Sequence, residues 1–107
     1  MAYRESEVPL DEQAREWLRL RITTAAGTIV AFTVQYETTI ADRRIPVVRY
    51  DGAYGRAHRD LLDRRGRVVD TWRLPGDPSY KDGLEIGRRD LLANWATYRA
   101  AFLGEPP

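Results

Sequence analysis

Apolar and polar residues alternate along most of the chain between residues 16 and 74, and this is the period of a half-buried β-strand. Leu18, Leu20 and Ile22 share one face of the first such segment. A turn at residues 25–28 leads into the longest run, residues 29–40, which is rich in β-branched and aromatic residues. Together the two segments predict an antiparallel hairpin.

Three further strand-like segments follow, at residues 45–50, 57–62 and 67–74. Pro46 cannot donate a ladder hydrogen bond, so we expect it at the start of its strand or on a sheet edge. Val68, Trp72 and Leu74 fall on one side of the last segment, where the pattern places them in the core.

The period changes to that of a helix after a loop at residues 75–81. Asp82 followed by Glu85 indicates an N-terminal cap, and the glycine and prolines from residue 104 onward end the helix. The predicted helix therefore spans residues 82–103. Its apolar stripe consists of Leu84, Leu91, Trp95, Tyr98 and Phe102, widened by Leu92 and Leu103.

Residues 1–15 are interpreted as a polar lead-in, in which residues 9–15 form one or two helical turns. The 107 residues fit a single domain of the α+β class. We expect an antiparallel meander of about five strands, over residues 16–74, packed by one long C-terminal helix.

Composition narrows the cellular setting and the chemistry. The chain has no cysteine, which excludes disulfides and thiolate metal sites and is typical of a reducing compartment. No apolar run approaches the roughly 20 residues that a membrane helix needs, and the first residues lack a signal-peptide core. We therefore expect a cytoplasmic protein with no membrane partner and no cofactor.

Arginine supplies sixteen of the seventeen lysine and arginine residues, although the net charge is only +1. A GC-rich genome produces this bias. Selection for phosphate or acidic partners produces it too, since a guanidinium binds phosphates and carboxylates through two parallel hydrogen bonds. A net charge near zero argues against broad binding to DNA irrespective of sequence.

Residues 49–60 concentrate the polar chemistry of the chain. His58 is the one side chain whose ordinary titration falls near neutral pH, and Asp60 shares its strand face. With an arginine to stabilise charge on phosphorus, such a pair predicts metal-independent cleavage of a phosphodiester. The alternative is a surface histidine on an ordinary hairpin. The full set of candidate catalytic residues is Arg49, Asp51, Tyr54, Arg56, His58 and Asp60.

Metal binding is not predicted, because one histidine and scattered aspartates give no recognised ligand spacing. Asp51, His58 and Asp60 would form a ligand set only if the fold brought them together. Trp17 shares a strand face with Arg19 and Arg21, which predicts a surface for stacking RNA bases or a protein partner. The alternative is that the N-terminal segment covers that face.

The run from Val48 to Gly55, followed by His58 and Asp60, resembles a group of small bacterial proteins with an Arg-Tyr-Asp-x-Ala-His-Gly-like motif. It is more distantly similar to the TumE-type toxins of toxin–antitoxin pairs. The resemblance implies a toxin-like module that acts on RNA and pairs with an antitoxin. It carries over Arg49, Asp51 and His58 as site residues. Tyr54 stands where the relatives carry a histidine, so a two-histidine mechanism is not available.

Two functions therefore remain open. One is a small ribonuclease-like toxin that uses His58 with arginine and tyrosine support. The other is a non-catalytic module that binds a protein partner, or forms a homodimer, through a sheet edge or the Trp17 face.

Overall fold

A computed structural model describes residues 1–105, apart from the side chain of Tyr54. It contains six strands, a single 3-10 turn at Ala53–Gly55 and one long helix. The elements are β1 (Ala2–Pro9), β2 (Glu16–Ala25), β3 (Thr28–Ile40), β4 (Arg43–Asp51), β5 (His58–Leu62), β6 (Val68–Arg73) and α1 (Tyr80–Leu103). The strands pair antiparallel in sequence order, which confirms the α+β class and the meander.

The predicted polar lead-in is wrong, because its first part forms β1 and raises the strand count from five to six. Every residue of β1 is exposed, so the strand shows no hydrophobic period. Backbone pairing with β2 and ion pairs from Glu5 and Glu7 to arginines of β2 hold it instead. In place of the expected helical turns, the Asp11 carboxylate accepts hydrogen bonds from the backbone of Arg15 and Glu16.

Three β-bulges reverse the inside–outside alternation that the sequence predicts. Each inserts one extra residue between paired positions, at Val30, Val47 and Val69. The bulge at Val69 puts Val68 and Trp72 on opposite faces of β6. Val68 is 51% exposed, and Trp72 is 42% exposed and lies beside the Arg59 guanidinium, so the predicted core positions of these two are wrong, whereas Leu74 is buried as predicted.

Pro46 lies inside β4 rather than at its start, but β4 pairs with β5 only over residues 48–51, so Pro46 is on a locally open edge beside the bulge at Val47. A bulge interrupts the ladder of hydrogen bonds, so a residue without a backbone N–H is tolerated there.

One face of the sheet carries the apolar core, and α1 covers it over β3 and β4. The stripe of α1 was predicted correctly, since Leu91 is fully buried and the other four residues pack against the core. Leu92 is 41% exposed, however, and does not widen the stripe. The largest fully buried side chains are Tyr36, Tyr50, Leu18, Leu91, Val34, Val48 and Thr38.

Two glycines let α1 approach the sheet closely. Gly83, Gly87 and Leu91 follow one another at a spacing of four and are the buried residues of the helix. A Cβ on Gly87 would lie 2.7 Å from Cγ of Tyr50, and one on Gly83 would lie 2.8 Å from Cβ of Ala57. Neither position has room for a methyl group, so the glycines set the distance between the two layers.

The helix starts two residues before the predicted position. Ser79, not Asp82, is the N-cap, and its hydroxyl accepts a hydrogen bond from the Asp82 backbone N–H at 3.1 Å. The predicted stop is confirmed, because Gly104 takes the left-handed conformation, with φ of 72°, that ends the helix after Leu103. Over residues 1–105, no helix is both long enough and apolar enough to cross a membrane.

Candidate functional site

Strand register assembles the candidate site on the sheet face that α1 leaves uncovered. Two rows of paired positions each cross all six strands, and the rows are two residues apart along every strand. The first row is Glu7, Arg19, Gln35, Arg49, Asp60 and Thr71, and the second is Glu5, Arg21, Thr33, Asp51, His58 and Arg73. Alternation puts the side chains of both rows on one face, so polar residues far apart in sequence become neighbours.

The imidazole of His58 lies between two carboxylates. Its Nε2 is 3.0 Å from Oδ1 of Asp51 and 3.4 Å from Oδ2 of Asp60. The other ring nitrogen, Nδ1, is 2.9 Å from the backbone carbonyl oxygen of Arg56. A carbonyl oxygen only accepts hydrogen bonds, so Nδ1 carries a proton and its N–H donates a hydrogen bond to this oxygen. His58 is 8% exposed, so solvent reaches little of the ring.

Both carboxylates are held in place by hydrogen bonds. Oδ1 of Asp51 accepts from the Ala53 backbone N–H at 2.9 Å, where the chain enters the 3-10 turn. Oδ1 of Asp60 accepts from the Thr71 hydroxyl at 2.7 Å, across the β5–β6 pair. The second oxygen of Asp60 is the one that faces His58. The three side chains therefore form a fixed cluster, called here the Asp–His–Asp cluster (Asp51, His58 and Asp60).

A cleft of about 590 Å³ opens over the Asp–His–Asp cluster. Three arginines line it together with the cluster: Arg49, Arg56 and Arg73. Among residues 1–105, none of their guanidinium groups lies within the 4.0 Å ion-pair distance of a carboxylate oxygen. Nε of Arg49 donates to the Gln35 side chain at 2.8 Å, which leaves its two terminal nitrogens for a ligand.

The arginines at the other end of the same face are paired with glutamates. Arg19 contacts Glu7 at 3.1 Å and Glu37 at 3.4 Å, and Arg44 contacts the same two glutamates at 2.9 Å each. The hydrogen bond from Arg44 lowers the pKa of Glu7 below its ordinary range. The face therefore has a self-neutralised half, on β1 to β3 and the start of β4, and a half with open cations, from the end of β4 to β6.

The second predicted group, Trp17 with Arg19 and Arg21, lies in the self-neutralised half. The Arg44 guanidinium lies over the Trp17 ring, and its central carbon is 4.4 Å from the ring centroid. Arg21 pairs with Glu5 at 3.4 Å. The N-terminal strand extends the sheet beside this group and supplies its glutamates. A role for the group in binding RNA or a partner stays a prediction.

Five of the six predicted catalytic residues border the cleft, namely Arg49, Asp51, Arg56, His58 and Asp60. The side chain of Tyr54 is outside the described residues, and its role stays a prediction. The prediction missed Thr71 and Arg73. Their strand was identified, but the bulge at Val69 decides which side chains of β6 face the cleft.

A family model described as "Domain of unknown function (DUF7718)" matches residues 1–106. No curated protein and no solved structure matches the chain. The functional argument therefore depends on the site itself.

Proposed function

We propose that this chain, which belongs to the DUF7718 family of domains of unknown function, binds RNA in the cleft over β4 to β6 and cleaves a phosphodiester bond there. One observation carries the proposal: three arginines without carboxylate partners converge on a buried histidine that lies between two aspartates. Guanidinium groups recognise phosphate oxygens through paired hydrogen bonds, and the cluster supplies proton-accepting groups beside them.

In the proposed reaction, two sets of residues divide the chemistry between them. Arg49, Arg56 and Arg73 hold the phosphate and stabilise the charge that develops on its oxygens. An attacking hydroxyl gives its proton to the Asp–His–Asp cluster as its oxygen bonds to phosphorus. The bond from phosphorus to the leaving oxygen then breaks, and that oxygen takes up the proton that the cluster has accepted.

Replacing His58 with alanine is expected to slow RNA cleavage by at least about 100-fold, the usual effect of removing a group that handles the proton. The measurement is the cleavage rate of an end-labelled single-stranded RNA of mixed sequence. Arg89→Ala is the matched control, because Arg89 pairs with Glu85 on α1, away from the cleft. RNA that stays intact with pure wild-type protein would overturn the proposal, as would equal rates for the two variants.

We extend the proposal to the toxin-like role, with a protein antitoxin as partner, that the motif resemblance implies. Its support is spatial: Arg49, Asp51 and His58, the residues that carry the resemblance, border one cleft. An antitoxin would act by covering this cleft.

A second candidate function, self-association, is favoured by the edge strand β6. Every residue of β6 is exposed, and Val69 and Trp72 are among the large exposed hydrophobic side chains. The opposite edge, β1, carries Arg4, Glu5 and Glu7, and charges at an edge oppose pairing with another sheet. An antiparallel β6–β6 contact between two copies would bury the apolar edge.

Sedimentation of the pure protein tests this second function. We expect a dimer that Val69→Lys converts to a monomer, because the lysine would place two charges in the shared contact. Val30→Lys is the control, since Val30 is also exposed but lies on β3, away from this edge. A monomer at every concentration of the wild-type protein would exclude the dimer.

A further inference from the structure

We infer that the Asp–His–Asp cluster is a binding site for one divalent cation of the Mn²⁺ or Zn²⁺ type. The first support is the direction of the imidazole. Because Nδ1 donates to the Arg56 carbonyl oxygen, the lone pair of a neutral His58 is on Nε2. That lone pair faces two carboxylate oxygens, which are also acceptors, so in the neutral form of His58 no hydrogen lies between Nε2 and either oxygen, although the Ala53 backbone N–H donates to Oδ1 of Asp51.

The separations match those of ligands around one ion. When two ligand atoms are each about 2.1 Å from a divalent ion and the ligand–ion–ligand angle is roughly 90° to 109°, the two atoms are about 3.0 to 3.4 Å apart. The observed distances from Nε2 are 3.0 Å to Asp51 and 3.4 Å to Asp60. The three ligand atoms all lie within 4.8 Å of one another, which groups them around a single position.

The surroundings of the cluster are those that orient metal ligands. A metal-binding histidine usually donates its second ring N–H to a carbonyl or carboxylate oxygen, and ligand carboxylates are themselves hydrogen-bonded. Here Arg56, Thr71 and Ala53 supply these partners to His58, Asp60 and Asp51, respectively.

The donor set and the cleft indicate which ion fits. One imidazole with two carboxylates suits Mn²⁺ or Zn²⁺ better than Mg²⁺, which favours oxygen ligands alone. Three protein ligands leave coordination positions open towards the cleft for water or a phosphate oxygen. The ion would balance the two aspartate charges, and the three open arginines would remain for an anionic ligand.

A catalytic use of this ion rests on the proposed function, whereas binding of the ion does not. In the proposed reaction the ion would lower the energy needed to remove the proton from the attacking hydroxyl. The competing arrangement has no ion. His58 then carries a second proton, on Nε2, and its N–H donates hydrogen bonds to the carboxylates; the sequence-based expectation of metal-independent cleavage belongs to this arrangement.

Because the chain has one histidine, a single pair of imidazole carbon-bound proton signals reports on the site. We expect Mn²⁺ added to EDTA-treated protein to broaden these signals selectively, with one ion bound per chain by calorimetry. Asp60→Asn should weaken Mn²⁺ binding by more than the roughly 10- to 100-fold that loss of a ligand's hydrogen-bond partner costs. Asp70→Asn is the control, because Asp70 is an exposed carboxylate of β6 outside the cluster.

Each outcome separates the two proposals. If Asp60→Asn does not fold, Asp51→Asn takes its place, and the titration of the wild-type protein still decides. Unchanged imidazole signals with excess Mn²⁺ and Zn²⁺ would overturn the metal site, and RNA cleavage that persists in EDTA would then leave the proposed function intact. Selective broadening with intact RNA would support the metal site and overturn the nuclease.

Discussion

Replacing Leu91 with alanine is expected to lower the free energy of unfolding by about 2–5 kcal/mol. Leu91 is fully buried and is the large side chain in the buried line of α1, which otherwise consists of Gly83 and Gly87. With Gly87 one turn before it, the helix has no side chain on that side of Leu91 that can move into the space. The cavity would therefore stay open, which places the cost toward the upper part of the range.

The next residue provides the matched control. Leu92→Ala makes the same chemical change at a side chain that is 41% exposed, so we expect a change within about 0.5–1 kcal/mol. Urea unfolding followed by tryptophan fluorescence measures both variants. Equal losses at the two positions would show that the packing of α1 on the sheet is not as described.

Replacing Glu16 with alanine is expected to cost about 2–6 kcal/mol, because it removes the acceptor shared by two buried hydroxyl groups and each such loss costs about 1–3 kcal/mol. One carboxylate oxygen of Glu16 accepts from the Tyr36 hydroxyl at 2.5 Å and from the Thr38 hydroxyl at 2.6 Å. The other oxygen lies 3.6 Å from Nε of Arg99 on α1. Alanine would leave two buried hydroxyl groups without partners and would break a link between the sheet and the helix.

Glu16→Gln is the control, since its amide oxygen still accepts from both hydroxyl groups. We expect it to retain most of the stability that alanine loses, as measured by thermal and urea unfolding. If the two variants lose the same amount, the charge of Glu16, rather than its hydrogen bonds, is what stabilises the fold.

The same network gives stability a dependence on alkaline pH. Burial, followed by the hydrogen bond to Glu16, raises the pKa of Tyr36 above its ordinary value of 10.0. A phenol whose pKa is raised by folding contributes stability that is complete below pH 10 and declines as the pH rises further. In Glu16→Ala this decline should be smaller, because the hydrogen bond and the charge of Glu16, which both raise the pKa of Tyr36, are gone.

Much of the fold follows from hydrophobic period alone. The segments around Leu18, Phe32 and Leu91 each bury one face in the core, so the alternation or helical spacing of their apolar residues predicts their secondary structure. β1 was missed because an edge strand with both faces exposed has no such pattern, and its stability comes from backbone pairing and ion pairs. The two buried glycines were missed because the stripe was identified from large apolar side chains.

The site was predictable where it depends on neighbours in sequence. His58 and Asp60 share a face because they are two residues apart on one strand. Asp51 joins them through the register of β4 with β5, which the 3-10 turn fixes. Thr71 and Arg73 are brought to the cleft by the β5–β6 register. That register includes a bulge, and no residue type in β6 predicts it.

The close approach of α1 at Gly87 has a consequence for the opposite side of the sheet. Tyr50, whose ring lies against that glycine and whose hydroxyl donates to Asp90 at 2.7 Å, is the residue between Arg49 and Asp51. The helix thus braces the stretch of backbone that carries two of the cleft's charged groups. The positions of Arg49 and Asp51 at the cleft therefore depend partly on Gly87 and Asp90 of α1, which lie on the other side of the sheet.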